Sequence, residues 1–81
     1  MHDKYLVLST IYQIVKDDDN PTSFPCNTRD IILRYQGPWP SAQLDELEKE
    51  GLIEMRRLER VLIYITKKGI EEVLLQKHLH E

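Results

Sequence analysis

Leu44-Asp45-Glu46-Leu47-Glu48-Lys49-Glu50-Gly51-Leu52-Ile53 is the stretch at which the chain changes its conformational habit. Leu44 and Leu47 are three residues apart, the spacing of one helix face, and the charged residues around them suit the opposite face. Glycine at 51 fits the left-handed position that follows a last helical turn. Beyond it the period changes. Leu52 to Ile65 carries Ile, Met, Val and Tyr, with charges gathered at Arg56-Arg57-Leu58-Glu59-Arg60, which predicts two strands of five or six residues around a short turn. A helix ending at Gly51 and running directly into a β-hairpin fixes the middle of the fold.

Upstream, this helix should start near Pro40 or Ser41, because the missing proline N–H is no loss in a first turn. Gly37-Pro38-Trp39-Pro40 stops a preceding shorter helix, which Asn27 can cap with Asp30 completing a capping-box-like pair. Ile31, Ile32 and Tyr35 supply its buried side, and Trp39 is expected to plug the gap between the two helices. From Asp17 to Cys26 turn formers and an acidic run predict a loop. Before it, a helix over Asp3–Lys16 has Tyr5, Leu8, Tyr12 and Val15 on one stripe and Val7, Ile11 and Ile14 on the next. Downstream of the hairpin, Thr66 can cap a last helix whose stripe is Ile70, Val73, Leu74 and Leu79. The order predicts one α+β domain over residues 1–81.

Composition narrows the function. Eighty-one residues, 41% apolar and 31% charged, describe a small globular domain with one hydrophobic core. Eleven Lys and Arg against 14 Asp and Glu leave a net charge of −3, unlike a non-specific nucleic-acid coater. The single cysteine, Cys26, provides neither a disulfide framework nor a cysteine zinc cage, and its loop setting predicts an inert thiol. His2, His78 and His80 are too few and too terminal for a metal site, and Asp17-Asp18-Asp19-Asn20 lacks the spacing of a calcium loop. No Gly-rich phosphate loop, nucleophile elbow or acid/base pair is visible, so neither an enzyme nor a cofactor is expected. Nor is there a signal peptide or an apolar run long enough for a membrane; a cytoplasmic protein is expected.

The element order resembles the winged helix-turn-helix plan: a three-helix core, a two-stranded β-wing and a C-terminal helix. Leu44 to Ile53 looks like the end of a winged-helix recognition helix. Tyr64-Ile65-Thr66-Lys67-Lys68-Gly69-Ile70 is similar to the exit from the wing in PadR-like and MarR-like transcriptional regulators. The resemblance covers roughly residues 3 to 76. It implies a regulator that binds double-stranded DNA, with the third helix in the major groove and the wing on the backbone. With Leu44 and Leu47 inward, Ala42, Asp45, Glu46 and Lys49 face outward, and Ser41 and Gln43 lie at the exposed first turn. Asp45 and Glu46 depart from the basic or small residues usual there. A carboxylate can accept from cytosine N4 but is repelled by phosphate. The hairpin compensates: Arg56, Arg57, Arg60, Lys67 and Lys68 against Glu54 and Glu59 give residues 52–68 a charge of +3, while the remainder carries −6. The DNA-contacting set implied is thus Ser41, Ala42, Gln43, Asp45, Lys49, Arg56, Arg57, Arg60 and Lys67. A protein-binding winged helix without DNA affinity is the alternative.

The wide apolar face of the first helix further predicts a homodimer through helices 3–16 and 67–80. In that arrangement Val7, Ile11, Ile14, Leu75 and Leu79 supply the second surface, unless the 17–26 loop with Phe24 covers it.

Overall fold

In the computed structural model, which describes residues 3–35 and 38–79, the helices are α1 (Asp3–Val15), α2 (Thr28–Tyr35), α3 (Ser41–Lys49) and α4 (Lys67–Leu79). Three strands, β1 (Cys26–Asn27), β2 (Ile53–Arg57) and β3 (Val61–Ile65), form one antiparallel sheet in the order β1-β3-β2. A single 3₁₀ turn, Pro21–Ser23, interrupts the loop after α1. His2, Gln36, Gly37 and His80 lie outside the described residues, as do the side chains of His78 and Leu79.

The α3–β2 junction forms as its residues require. Gly51 takes φ +77°, the left-handed region that costs an L side chain about 1–2 kcal/mol. The Leu52 N–H then donates to the Leu47 carbonyl at 3.0 Å and the Gly51 N–H to the Glu48 carbonyl at 3.0 Å, the paired bonds of a Schellman end. Leu47 and Leu52, the residues that such an end brings together, are both buried.

The strand after Leu52 alternates as a half-buried strand should: Ile53 and Met55 turn to the core, Glu54 and Arg56 away from it. Ile53 opposes Ile65 and Arg57 opposes Val61, leaving Leu58-Glu59-Arg60 as the turn. The expected two-stranded wing is a three-stranded sheet. Cys26 pairs with Ile63 and Asn27 with Leu62, so β3 is the central strand, with the two-residue β1 at one edge and β2 at the other. Charged Glu54 and Arg56 lie on the longer edge strand, β2, a usual protection against further strand pairing.

α1 lies against α2, α3, α4 and the sheet. That central position corrects the two-stripe reading. Val7, Leu8 and Ile11 are fully buried and Val15 nearly so, while Tyr12 and Ile14 pack at the border of the same core. The wide apolar face is used up inside the chain, because a helix with neighbours on several sides buries more than one stripe. Leu6, outside both predicted stripes, is the exposed apolar residue of α1.

Both expected caps form. Asn27 Oδ1 accepts from the Arg29 N–H at 2.9 Å, and Thr66 Oγ1 accepts from the Gly69 N–H at 3.0 Å. The Thr66 hydroxyl also reaches the Gly51 carbonyl at 2.8 Å, and its N–H donates to the Leu52 carbonyl at 3.1 Å, tying the start of α4 to the end of α3. Gly69 sits buried on this junction: a Cβ there would stand 2.1 Å from the Leu52 carbonyl oxygen. Along α4, Val73 is buried and Ile70 partly so. Leu74, expected in the core, is about half exposed, as is Leu75. Trp39 is also displaced from its expected role. It is 38% exposed, and among the described residues of that turn the buried one is Pro40.

Candidate nucleic-acid interface

α3 presents its outer face as its helical phase dictates. Leu44 and Leu47 are buried, and Ser41, Ala42, Asp45, Glu46 and Lys49 are exposed with Gln43 half-buried. The first turn, with Ser41, Ala42 and Gln43, contains no carboxylate. From Asp45 to Glu50 the only cation is Lys49.

Hairpin alternation separates the arginines. Arg56 shares the outward face with Glu54 and, across the ladder, Tyr64. Its Nε donates to Glu54 Oε2 at 3.0 Å, and its guanidinium lies 5.2 Å from the Tyr64 ring centroid, within cation–π reach. Arg57 is in phase with Ile53 and Met55, on the core side of the strand. At the end of β2 that side runs past the core and meets α3. Its Nη2 donates to Glu48 Oε1 at 3.1 Å and its Nη1 approaches Glu48 Oε2 at 3.4 Å, with Asp45 Oδ1 3.8 Å from Nη2. This bonding holds the Glu48 carboxyl below its ordinary range and raises the guanidinium pKa further.

A second clamp spans the other flank of α3. Lys4 Nζ donates to Glu46 at 3.1 Å and to Glu50 at 2.5 Å, and these bonds hold the ammonium strongly protonated. Lys68 Nζ donates to the Glu50 carbonyl at 3.0 Å. Arg60, Lys49 and Lys67 are exposed and make no ion pair among the described residues.

The structure therefore brings Asp45 and Arg57 together, along with Glu48, which sequence reasoning did not single out. The signal was present: Arg57 shares the parity of buried Ile53 and partly buried Met55, and Glu48 lies four residues from Leu44 on the side facing the sheet. Arg56 lies on the other face of the hairpin from Arg57, in a local pair with Glu54.

Other candidate chemistry resolves simply. Cys26 is buried, its Sγ is 3.7 Å from the Ile11 carbonyl, and burial first, then Asp30, pushes the thiol up to about 12, far from a reactive thiolate. Asp18 Oδ1 accepts from the Asn20 N–H at 2.9 Å, a local turn bond in the acidic loop. A cleft lies between Thr22, Ser23 and the Glu54–Arg56–Tyr64 face, whose three side chains are already engaged with one another. Among the described residues, no helix is long and apolar enough to cross a membrane.

Comparison with family models, with curated proteins and with solved structures gave no match for the chain.

Proposed function

We propose that this chain is a winged helix-turn-helix domain that binds double-stranded DNA as a transcriptional regulator. α3 enters the major groove and the β2–β3 hairpin meets the backbone. The observation that carries this reading is the contact of Arg57 with Asp45 and Glu48. It makes the outer face of α3 and the basic end of the hairpin one continuous surface, as simultaneous groove and backbone contact requires. Ser41 and Gln43 are the base-edge readers at the carboxylate-free first turn of α3. Lys49, Arg60 and Lys67 are exposed and, among the described residues, are available to phosphate without first breaking an ion pair.

The test is fluorescence polarisation with a random-sequence duplex across a salt series. Two or three phosphate contacts predict a log–log salt slope of about −2 to −3. Absence of binding at low salt, or binding indifferent to salt, would overturn the reading.

A second reading, a winged-helix module that binds protein, is favoured by the clamps flanking α3. Lys4, Arg56 and Arg57 are already matched with carboxylates of the same chain, which lowers the positive field a duplex would meet.

A further inference from the structure

We infer that Glu48 and Asp45 serve as an internal stand-in for DNA phosphate, holding the Arg57 guanidinium until a duplex takes their place. The inference rests on the duplex-binding reading above and adds a restraint on that same surface. A guanidinium presents its donors as a planar fork, and carboxylate and phosphate oxygens fit that fork by the same geometry. Here Nη1 and Nη2 each face a different oxygen of Glu48, at 3.4 and 3.1 Å, with Asp45 behind at 3.8 Å.

The pair sits where an exchange of partners is possible. Side-chain exposure is 55% for Arg57, 69% for Asp45 and 33% for Glu48, so the guanidinium lies in solvent between α3 and the hairpin. An exposed ion pair is weak, worth at most a factor of about five in an equilibrium. A duplex that gains a phosphate contact releases a counterion with it, a gain that the internal pair lacks. Arg57 is thus a held cation, and the unpaired Arg60 on the same hairpin is a free one. When a duplex takes the guanidinium, Glu48 and Asp45 are left beside it as uncompensated acids. The contact therefore lowers affinity for every sequence by a similar factor, because phosphate carries no sequence information.

The test is a double-mutant cycle on the whole chain, using Glu48→Gln, Arg57→Ala and their combination, with circular dichroism melts to verify folding and a random-sequence duplex as the probe. Glu48→Gln should tighten duplex binding by about twofold to fivefold. On the Arg57→Ala background the same substitution should give a clearly smaller gain, limited to the relief of repulsion between Glu48 and phosphate. An equal gain on both backgrounds would mean simple removal of a negative charge and would overturn the inference, as would no gain in the parent. Absence of duplex binding by every variant would overturn the DNA reading and this inference with it. NMR titration of the Glu48 carboxyl carbon, which needs no duplex, keeps the two failures apart. It should titrate lower in the parent than in Arg57→Ala, and identical titrations would overturn the internal contact whatever the duplex does.

Discussion

On its inner side α3 buries Leu44 and Leu47 and ends in a Schellman turn that Thr66 and Gly69 fasten to α4. On its outer side it carries Asp45, Glu46 and Lys49 in solvent, with Lys4 and Arg57 reaching in from either flank. The inner side is held by shape: close packing, one left-handed residue and one glycine that admits no Cβ. The outer side is held by charges that water and salt can screen. The difference teaches where this chain can tolerate change. Structure resides on the inner side, while the outer side can exchange partners at little cost to the fold.

The largest expected effect comes from taking the inner side's logic to its centre. Ile11→Asp places a carboxylate where the side chain is fully buried, against the Cys26 strand. The cost should exceed about 4 kcal/mol, enough to abolish cooperative thermal unfolding in a domain this small. A folded Ile11→Asp chain would mean that this face of α1 is not core.

Next come the two glycines of the junction, which separate steric from conformational demands. Gly69→Ala forces a Cβ against the Leu52 carbonyl, so either β2 or α4 must move, at about 2–3 kcal/mol. Gly51→Ala meets no atom within 4 Å and should lose only the cost of a left-handed alanine, about 1–2 kcal/mol. Denaturant midpoints will rank them. The reverse order would show that α4 is not seated on the junction as closely as the backbone indicates.

That ranking also marks what the sequence could reveal. Gly51, Asn27 and Thr66 were legible because caps and left-handed turns are local chemistry, decided by a residue and its next few neighbours. The hairpin was legible from its change of period. β1 was not: two residues after Pro25 have no period, and Cys26 is a strand only because β3 offers a free edge. The depth of α1 was equally hidden, since the pattern gives the width of an apolar face but not how many neighbours share it. The same limit misplaced Ile32, which is exposed on α2, as well as Leu74 and Trp39. On α3 the candidate residues took their expected orientation except Gln43, which is half-buried, whereas the pairing of Arg57 depends on where the hairpin ends relative to Glu48.

On the outer side the effects should be smaller and concern binding. Arg60→Ala should weaken duplex binding more than Arg56→Ala and flatten the salt slope by about 0.9, because Arg56 is occupied by Glu54 and Tyr64. Polarisation titrations at two salt concentrations decide this. Equal losses would mean that the Glu54 pair does not withhold Arg56.

The smallest effect is the acid response of the Glu48–Arg57 pair. Bonding to Arg57 lowers the folded-state pKa of Glu48 from its ordinary 4.5. The pair's stabilisation is therefore present above the unfolded-state value and is lost as pH falls through the folded one. Melting temperatures of the parent and Glu48→Gln should differ slightly at pH 7 and converge as pH drops below 4.5. A gap that widens on acidification would contradict the sign.

The most direct test of the proposed DNA surface is an NMR footprint: backbone amide shifts of the labelled chain titrated with a short random duplex at low salt. The shifts should concentrate at Ser41–Lys49 and at residues 56–60, leaving the exposed Leu6, Leu74 and Leu75 of α1 and α4 unmoved. Shifts confined to those α1 and α4 positions, or none at duplex excess, would contradict it.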